Sequence, residues 1–160
     1  SEHEALFKHF AETYRDDSPL APMSQTEQLN ADFSILGLTP GEHPMSLLRH
    51  RLTGICTAQD LKHLATGQRV TIAGAVICRQ RPGTAKGTVF VTLEDETGSI
   101  NVIVWRDLVE AQRRELLAAR LLGVYGQLQR QGIVINLVAR RLFDHTALLG
   151  KLATASRNFH

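Results

Sequence analysis

Between Arg69 and Leu142 apolar residues recur largely at every second position, in five short runs: RVTIAGAVICRQ, TVFVTLEDE, SINVIVW, RLLGVYGQLQ and IVINLVARRL. A period of two sends successive side chains to opposite faces of an extended chain, so each run reads as a half-buried strand. In TVFVTLED the trio Val89, Val91 and Leu93 falls on one face, while Phe90 and Thr92 fall on the other. Between the third and fourth runs the pattern changes. DLVEAQRRELLAA reads as one helix, with Leu108, Val109, Leu116 and Leu117 as its apolar positions and a capping-box spacing from Asp107 to Glu110. Asp95-Glu96-Thr97-Gly98 reads as a hairpin turn, its acids turn formers rather than metal ligands.

Five strands, one helix between the third and fourth, and a long basic loop from Arg79 to Gly87 between the first two define a mainly β fold, a five-stranded OB-fold barrel. Such barrels bind single-stranded nucleic acid on the face of their second and third strands and between the first and last loops. The expected organisation is a helical connecting segment over 1–68, an OB-fold nucleic-acid-binding domain over 69–142 and a tail over 143–160. Ser24 and Glu27 have capping-box spacing for a helix carrying Leu29, Phe33, Ile35 and Leu36 toward Gly37. MSLLRHRL and, after Thr57, AQDLKHLA read as two more short helices, too small for a core of their own. Ser1 to Asp17 reads as a helix or a frayed end, and Ser1 itself as a cut rather than a natural start.

Charge sharpens this division. The chain carries a formal +2 in all. Residues 69–142 hold eleven bases against six acids, a net +5, and residues 1–68 hold five bases against nine acids, a net −4. A basic module on an acidic stalk points to a polyanion partner for the module alone.

The candidate contacts follow from these two patterns. An inward aliphatic trio leaves Phe90 outward on the second strand, either stacked on a base or covering the barrel against the N-terminal helices. Thr92 shares that outer face, and Asn101 on the third strand is a further candidate contact. Arg79, Arg81 and Lys86 sit on the long loop, where Pro82 stiffens the chain while Gly83 and Gly87 permit close approach to a phosphate. Gln129, Arg130 and Gln131 read as the loop between the last two strands. Trp105 reads as a core plug, and Tyr125 as facing solvent, a partner or a base. The tail LLGKLATASRNFH carries Leu148, Leu149 and Leu152 on one side of a short amphipathic helix, a candidate partner-binding surface.

Nothing in the sequence composes a catalytic centre. The seven histidines show no metal-ligand spacing, and there is no nucleophile elbow and no P-loop. A polymerase site needs clustered carboxylates holding two metal ions, which this sequence does not supply, so no cofactor is expected in the fragment. Cys56 and Cys78 read as two incidental thiols in a reducing compartment. No apolar run approaches a membrane span of about 18 residues, and the expected location is cytoplasmic, with no membrane contact.

The stretch PMSQTEQLNADFSILGLTPGEHPMSLLRHRL resembles the segment after the fingers in bacterial C-family DNA polymerases, the polymerase III alpha-subunit group. RQRPGTAKGTVFVTLEDETGSINVIVW, the VARRL strand and the terminal SRNFH are more similar to the error-prone, damage-inducible branch. The resemblance covers nearly the whole chain. It implies the C-terminal region of a translesion DNA polymerase, a nucleotidyltransferase whose palm and metal-binding acids lie upstream. It also implies a RecA-like accessory protein and an inactive Y-family polymerase homologue as partners, the latter contacting the sliding clamp. Two functions then stand open: a barrel holding single-stranded template DNA, or a platform docking accessory proteins. An anticodon-binding domain of a tRNA synthetase is a third, weakened by the stalk.

Overall fold

The computed structural model describes residues 42–158, with side chains as far as Leu152. The helix expected from Ser24, the reading of Ser1 to Asp17 and the last two residues of the SRNFH motif therefore fall outside the described residues. Helix α1 spans Pro44–Leu48 and runs into a 3-10 turn over Arg49–Arg51. Helix α2 (Ala58–Leu61) opens on a reciprocal capping box between Thr57 and Asp60. The strands are β1 (Arg69–Gln80), β2 (Val89–Asp95), β3 (Gly98–Val104), β4 (Leu121–Gln131) and β5 (Val134–Asp144). They close into a barrel in the order β1-β2-β3-β5-β4, with β3 and β5 parallel and the other pairs antiparallel. This is the expected OB barrel.

Closure depends on two irregularities. β1 pairs with β4 through its first half and with β2 through its second, and its register to β2 shifts between Val76 and Cys78. A second shift, between Tyr125 and Gly126, lets β4 bend against β5. A Cβ on Gly126 would lie 2.3 Å from the Val138 carbonyl oxygen, so only glycine allows the two backbones to approach there.

The interior is aliphatic. Ile72, Val76, Val91, Leu93, Val102, Val124, Leu128, Leu137 and Leu142 all sit in one buried cluster. The bottom is closed by two helices instead of the expected one: α3 (Arg106–Ala111) and α4 (Arg113–Ala118). The break is Gln112. Its side-chain amide donates to the Leu142 carbonyl at 2.9 Å and accepts the Leu142 N–H at 2.7 Å, completing the hydrogen bonds of β5 as a neighbouring strand would. Trp105, not Asp107, is the N-cap residue, and no side chain caps this helix. Val109, Leu116 and Ala119 enter the core, whereas Leu117 faces outward and is exposed.

Helix α5 (Thr146–Asn158) folds back onto the barrel. Leu149 is buried with Met45, Leu48, Leu52, Ala73 and Leu121, and Leu148 and Leu152 pack against the same cluster. The three tail leucines expected to bind a partner are thus engaged within the chain, because an exposed apolar stripe lay within reach of the apolar face of α1. α5 and the first described helices share one seat on the barrel.

Candidate nucleic-acid interface

The β2–β3 hairpin has a turn end and a face, and their polar groups serve different ends. At the turn Asp95 is buried. Its Oδ1 accepts from the Thr97 N–H (2.8 Å) and hydroxyl (2.8 Å) and from the Gly98 N–H (3.1 Å). Its Oδ2 accepts from the Ala58 N–H at 2.7 Å, at the first residue of α2, and lies 3.5 Å from the Arg49 guanidinium. The Thr97 hydroxyl accepts from the Gln59 N–H at 3.0 Å. Glu96 takes a two-pronged bond from Arg49, whose Nε donates at 3.0 Å while Nη2 donates to the other carboxylate oxygen. That bond holds the Glu96 carboxyl below its ordinary range. His43 accepts the Met45 N–H on Nδ1 at 3.1 Å, caps α1 and lies 3.5 Å from Glu94; burial lowers its pKa. The turn is therefore a joint that fastens the small helices to the barrel.

The face of the hairpin is different. Thr92 stands beside Asn101 in register, Asn101 beside Asn136 of β5, and Asn136 beside Gln129 of β4. Their chain neighbours Val91, Leu93, Ile100, Val102, Leu137 and Leu128 occupy the interior, so all four polar side chains point outward. They form one continuous polar row across four strands. Alongside it runs an apolar row, Phe90, Ile103 and Val138, also outward.

The expected site residues separate on this frame. Phe90 is on the outer face, as alternation required, but it is only 6% exposed: Ala85 of the first loop folds over it, with Ile103, Val138 and Trp105 around it. Two turn bonds, Ala85 N–H to the Pro82 carbonyl and Thr88 N–H to the Ala85 carbonyl (both 3.1 Å), tuck the loop inward. Among the described residues its cover is the loop. Arg79 is also 6% exposed and cannot reach a phosphate. Its Nε donates to the Leu116 carbonyl at 2.7 Å and its Nη2 to the Ala119 carbonyl, so it caps the C-terminal end of α4. Arg81 and Lys86 are exposed on the loop, with Lys86 in the left-handed region (φ 53°) just before Gly87 (φ 87°). Gln129, Arg130 and Gln131 lie in β4, not in a loop. The Arg130 side chain donates to the Lys62 carbonyl and its N–H to the Thr66 hydroxyl (3.1 Å), away from the polar row. Tyr125 pairs with Arg141, which lies 5.2 Å over the Phe143 ring, a separate stretch of surface. Trp105 does not plug the core; it is half-buried against the outer apolar row.

Three features escaped the sequence reading. Asn136 completes the polar row beside Gln129, which the sequence reading places in a loop bordering the same cleft, and the alternation Ile135, Leu137, Ala139 would have revealed Asn136 as outward. Arg140 is exposed beside Val138, its guanidinium donating to the Gln127 side chain at 3.2 Å. The tip of the β4–β5 hairpin carries Ile133, 98% exposed after Gly132. Among the described residues no group of histidine, cysteine or carboxylate side chains is arranged to hold a metal ion, and no helix is long and apolar enough to cross a membrane.

Residues 70–143 match the family described as an OB-fold nucleic acid binding domain. The fold is shared with asparaginyl-tRNA synthetase from Pyrococcus horikoshii complexed with asparaginyl-adenylate, at a TM-score of 0.50 and 20% identity over 59% of this chain and 23% of that one. A closer likeness runs along nearly the whole sequence. The error-prone DNA polymerase of Aromatoleum aromaticum is 54% identical over 142 residues, and that of Dechloromonas aromatica 57% over 139, covering 88% and 86% of this chain. These matches occupy 13% and 14% of the two polymerases. The chain belongs, as a fragment, to the error-prone DNA polymerases.

Proposed function

We propose that this fragment binds single-stranded template DNA for an error-prone polymerase engaged in translesion synthesis, and is not itself catalytic. The observation that carries the reading is the polar row Thr92–Asn101–Asn136–Gln129, flanked by exposed Arg81, Lys86 and Arg140. Amides and hydroxyls meet base edges, and the cations meet phosphates. The polymerase active site belongs to another part of the parent protein. The docking alternative drew on the modest net charge and on Leu148, Leu149 and Leu152, and those leucines here pack internally. Recruitment of the RecA-like accessory protein, the inactive Y-family homologue and the clamp is therefore proposed for the parent and not assigned to the tail.

A fluorescence-anisotropy titration of the 160-residue chain with labelled single- and double-stranded DNA at several salt concentrations tests this. Single strands should bind more tightly, with log K falling against log salt at a slope near −2 if about three phosphates are contacted. No binding, or tighter binding of duplex, would overturn the reading.

A further inference from the structure

A cavity of about 390 Å³ opens between α3 and β5, next to the outer apolar row. Trp105, Leu108, Ala111, Val138 and Ala139 line it, with Asp107 and Arg140 at its polar edge. Ligand pockets of this kind combine mainly apolar walls with a few polar groups, in volumes from about 300 Å³ upward. Val138 belongs to both the cavity and the apolar row, so a strand lying across the face passes the opening.

We propose that this cavity receives one unstacked nucleobase from a bound single strand. The proposal rests on the single-strand reading above and names a site within it. The indole of Trp105 offers a flat π surface, and Leu108, Val138 and Ala139 offer apolar contact beside it. Asp107 supplies a carboxylate, which accepts hydrogen bonds and donates none, so it favours a base carrying an exocyclic amino group. Arg140 carries the positive charge that the adjoining phosphate needs. Cytosine therefore fits better than thymine, which presents carbonyl oxygens where cytosine presents its amino group.

The chain contains one tryptophan, so its own emission reports on this cavity. The experiment follows Trp105 emission and its acrylamide quenching while oligo-dC and oligo-dT are titrated into the full chain, with anisotropy of labelled strands measured in parallel. Saturating oligo-dC should quench the emission and shield the indole from acrylamide, and oligo-dT should do so less. Ala111→Phe, which extends an exposed side chain into the cavity, should abolish the quenching and weaken binding by roughly 5- to 150-fold, the range for losing one stacked base. Asp107→Asn should remove the preference for dC. Rising anisotropy with unchanged emission and unchanged acrylamide access would overturn the base pocket while leaving the strand face standing. Full quenching in a folded Ala111→Phe chain would overturn it too. No anisotropy change with any strand would bring down the function and the pocket together.

Discussion

The turn and the face of the β2–β3 hairpin are only a few residues apart, yet they treat polar atoms in opposite ways. Asp95, Glu96 and Thr97 direct theirs inward, to Arg49 and to the first backbone N–H groups of α2. Thr92 and Asn101 direct theirs outward, into a row that crosses four strands. The arginines divide similarly: Arg79 and Arg49 are structural, while Arg81 and Arg140 stand in solvent. A net charge counted from sequence adds the two kinds together. Burial and partners separate them, and only the outward set is available to a polyanion.

Substitutions can break this contrast at several points. The largest effect is expected at Asp95. Asp95→Ala leaves three backbone N–H groups and the Thr97 hydroxyl without their acceptor and removes a carboxylate beside Arg49, which should cost about 3–5 kcal/mol in chemical denaturation while the folded fraction still binds DNA. Phe90→Ala comes next, at about 3 kcal/mol, since it empties a packed site beneath Ala85. Were its melting temperature unchanged and its DNA affinity lost, Phe90 would be a stacking residue that the loop uncovers. On the face, the double replacement Asn101→Ala with Asn136→Ala should leave the melting temperature within a degree or two and weaken single-strand binding roughly tenfold, each side chain being worth about one ordinary hydrogen bond. Replacing Arg81, Lys86 or Arg140 singly with Ala should flatten the salt slope by about 0.7 for each phosphate that the missing cation had neutralised, whereas Arg79→Met should lower stability and leave the slope alone. A slope unmoved by all three exposed substitutions would remove the cations from the interface.

The smallest effect is a pH dependence confined to the joint. The Glu96 pKa is held below its ordinary value of 4.5 by Arg49, so its contribution is complete above that value and is lost as pH falls through the lower, folded one. The His43 pKa is lowered from 6.5 chiefly by burial, so its contribution is complete above 6.5 and fades as pH drops toward the folded value. Protonating Nδ1 would also remove the acceptor of the Met45 N–H. Protection of the α1 and α2 amides, corrected for the intrinsic slowing of exchange in acid, should therefore fall as pH drops below 6.5 and before protection in the barrel does. Simultaneous loss of both would show that the joint and the barrel open as one unit.

The barrel was readable because period-two patterning fixes which residues face inward, and that rule placed Val89, Val91, Leu93 and the outward Phe90 correctly. The run AQDLKHLA after Thr57 announced α2 for an equally local reason, and the structure shows Thr57 and Asp60 capping it. What patterning could not convey was contact between distant segments. Ala85 covering Phe90, Arg79 reaching the carbonyls of α4, and Gln112 standing in for a strand all depend on the barrel having closed. The amphipathic stripe of Leu148, Leu149 and Leu152 was correctly read as sticky, but stickiness does not name a partner, and α1 was nearer than any other protein. Trp105 shows the same limit: it sits one residue past the end of β3, where alternation no longer says which side it faces.

The seat shared by Met45, Leu48, Leu121 and Leu149 has a mechanical consequence. Tension applied between residues 44 and 152 would meet this apolar patch first, peeling α1 and α5 from Ala73 and Leu121 before the strand ladders carried any load. The barrel then behaves as a rigid bead on a tether whose clasp lies in one place.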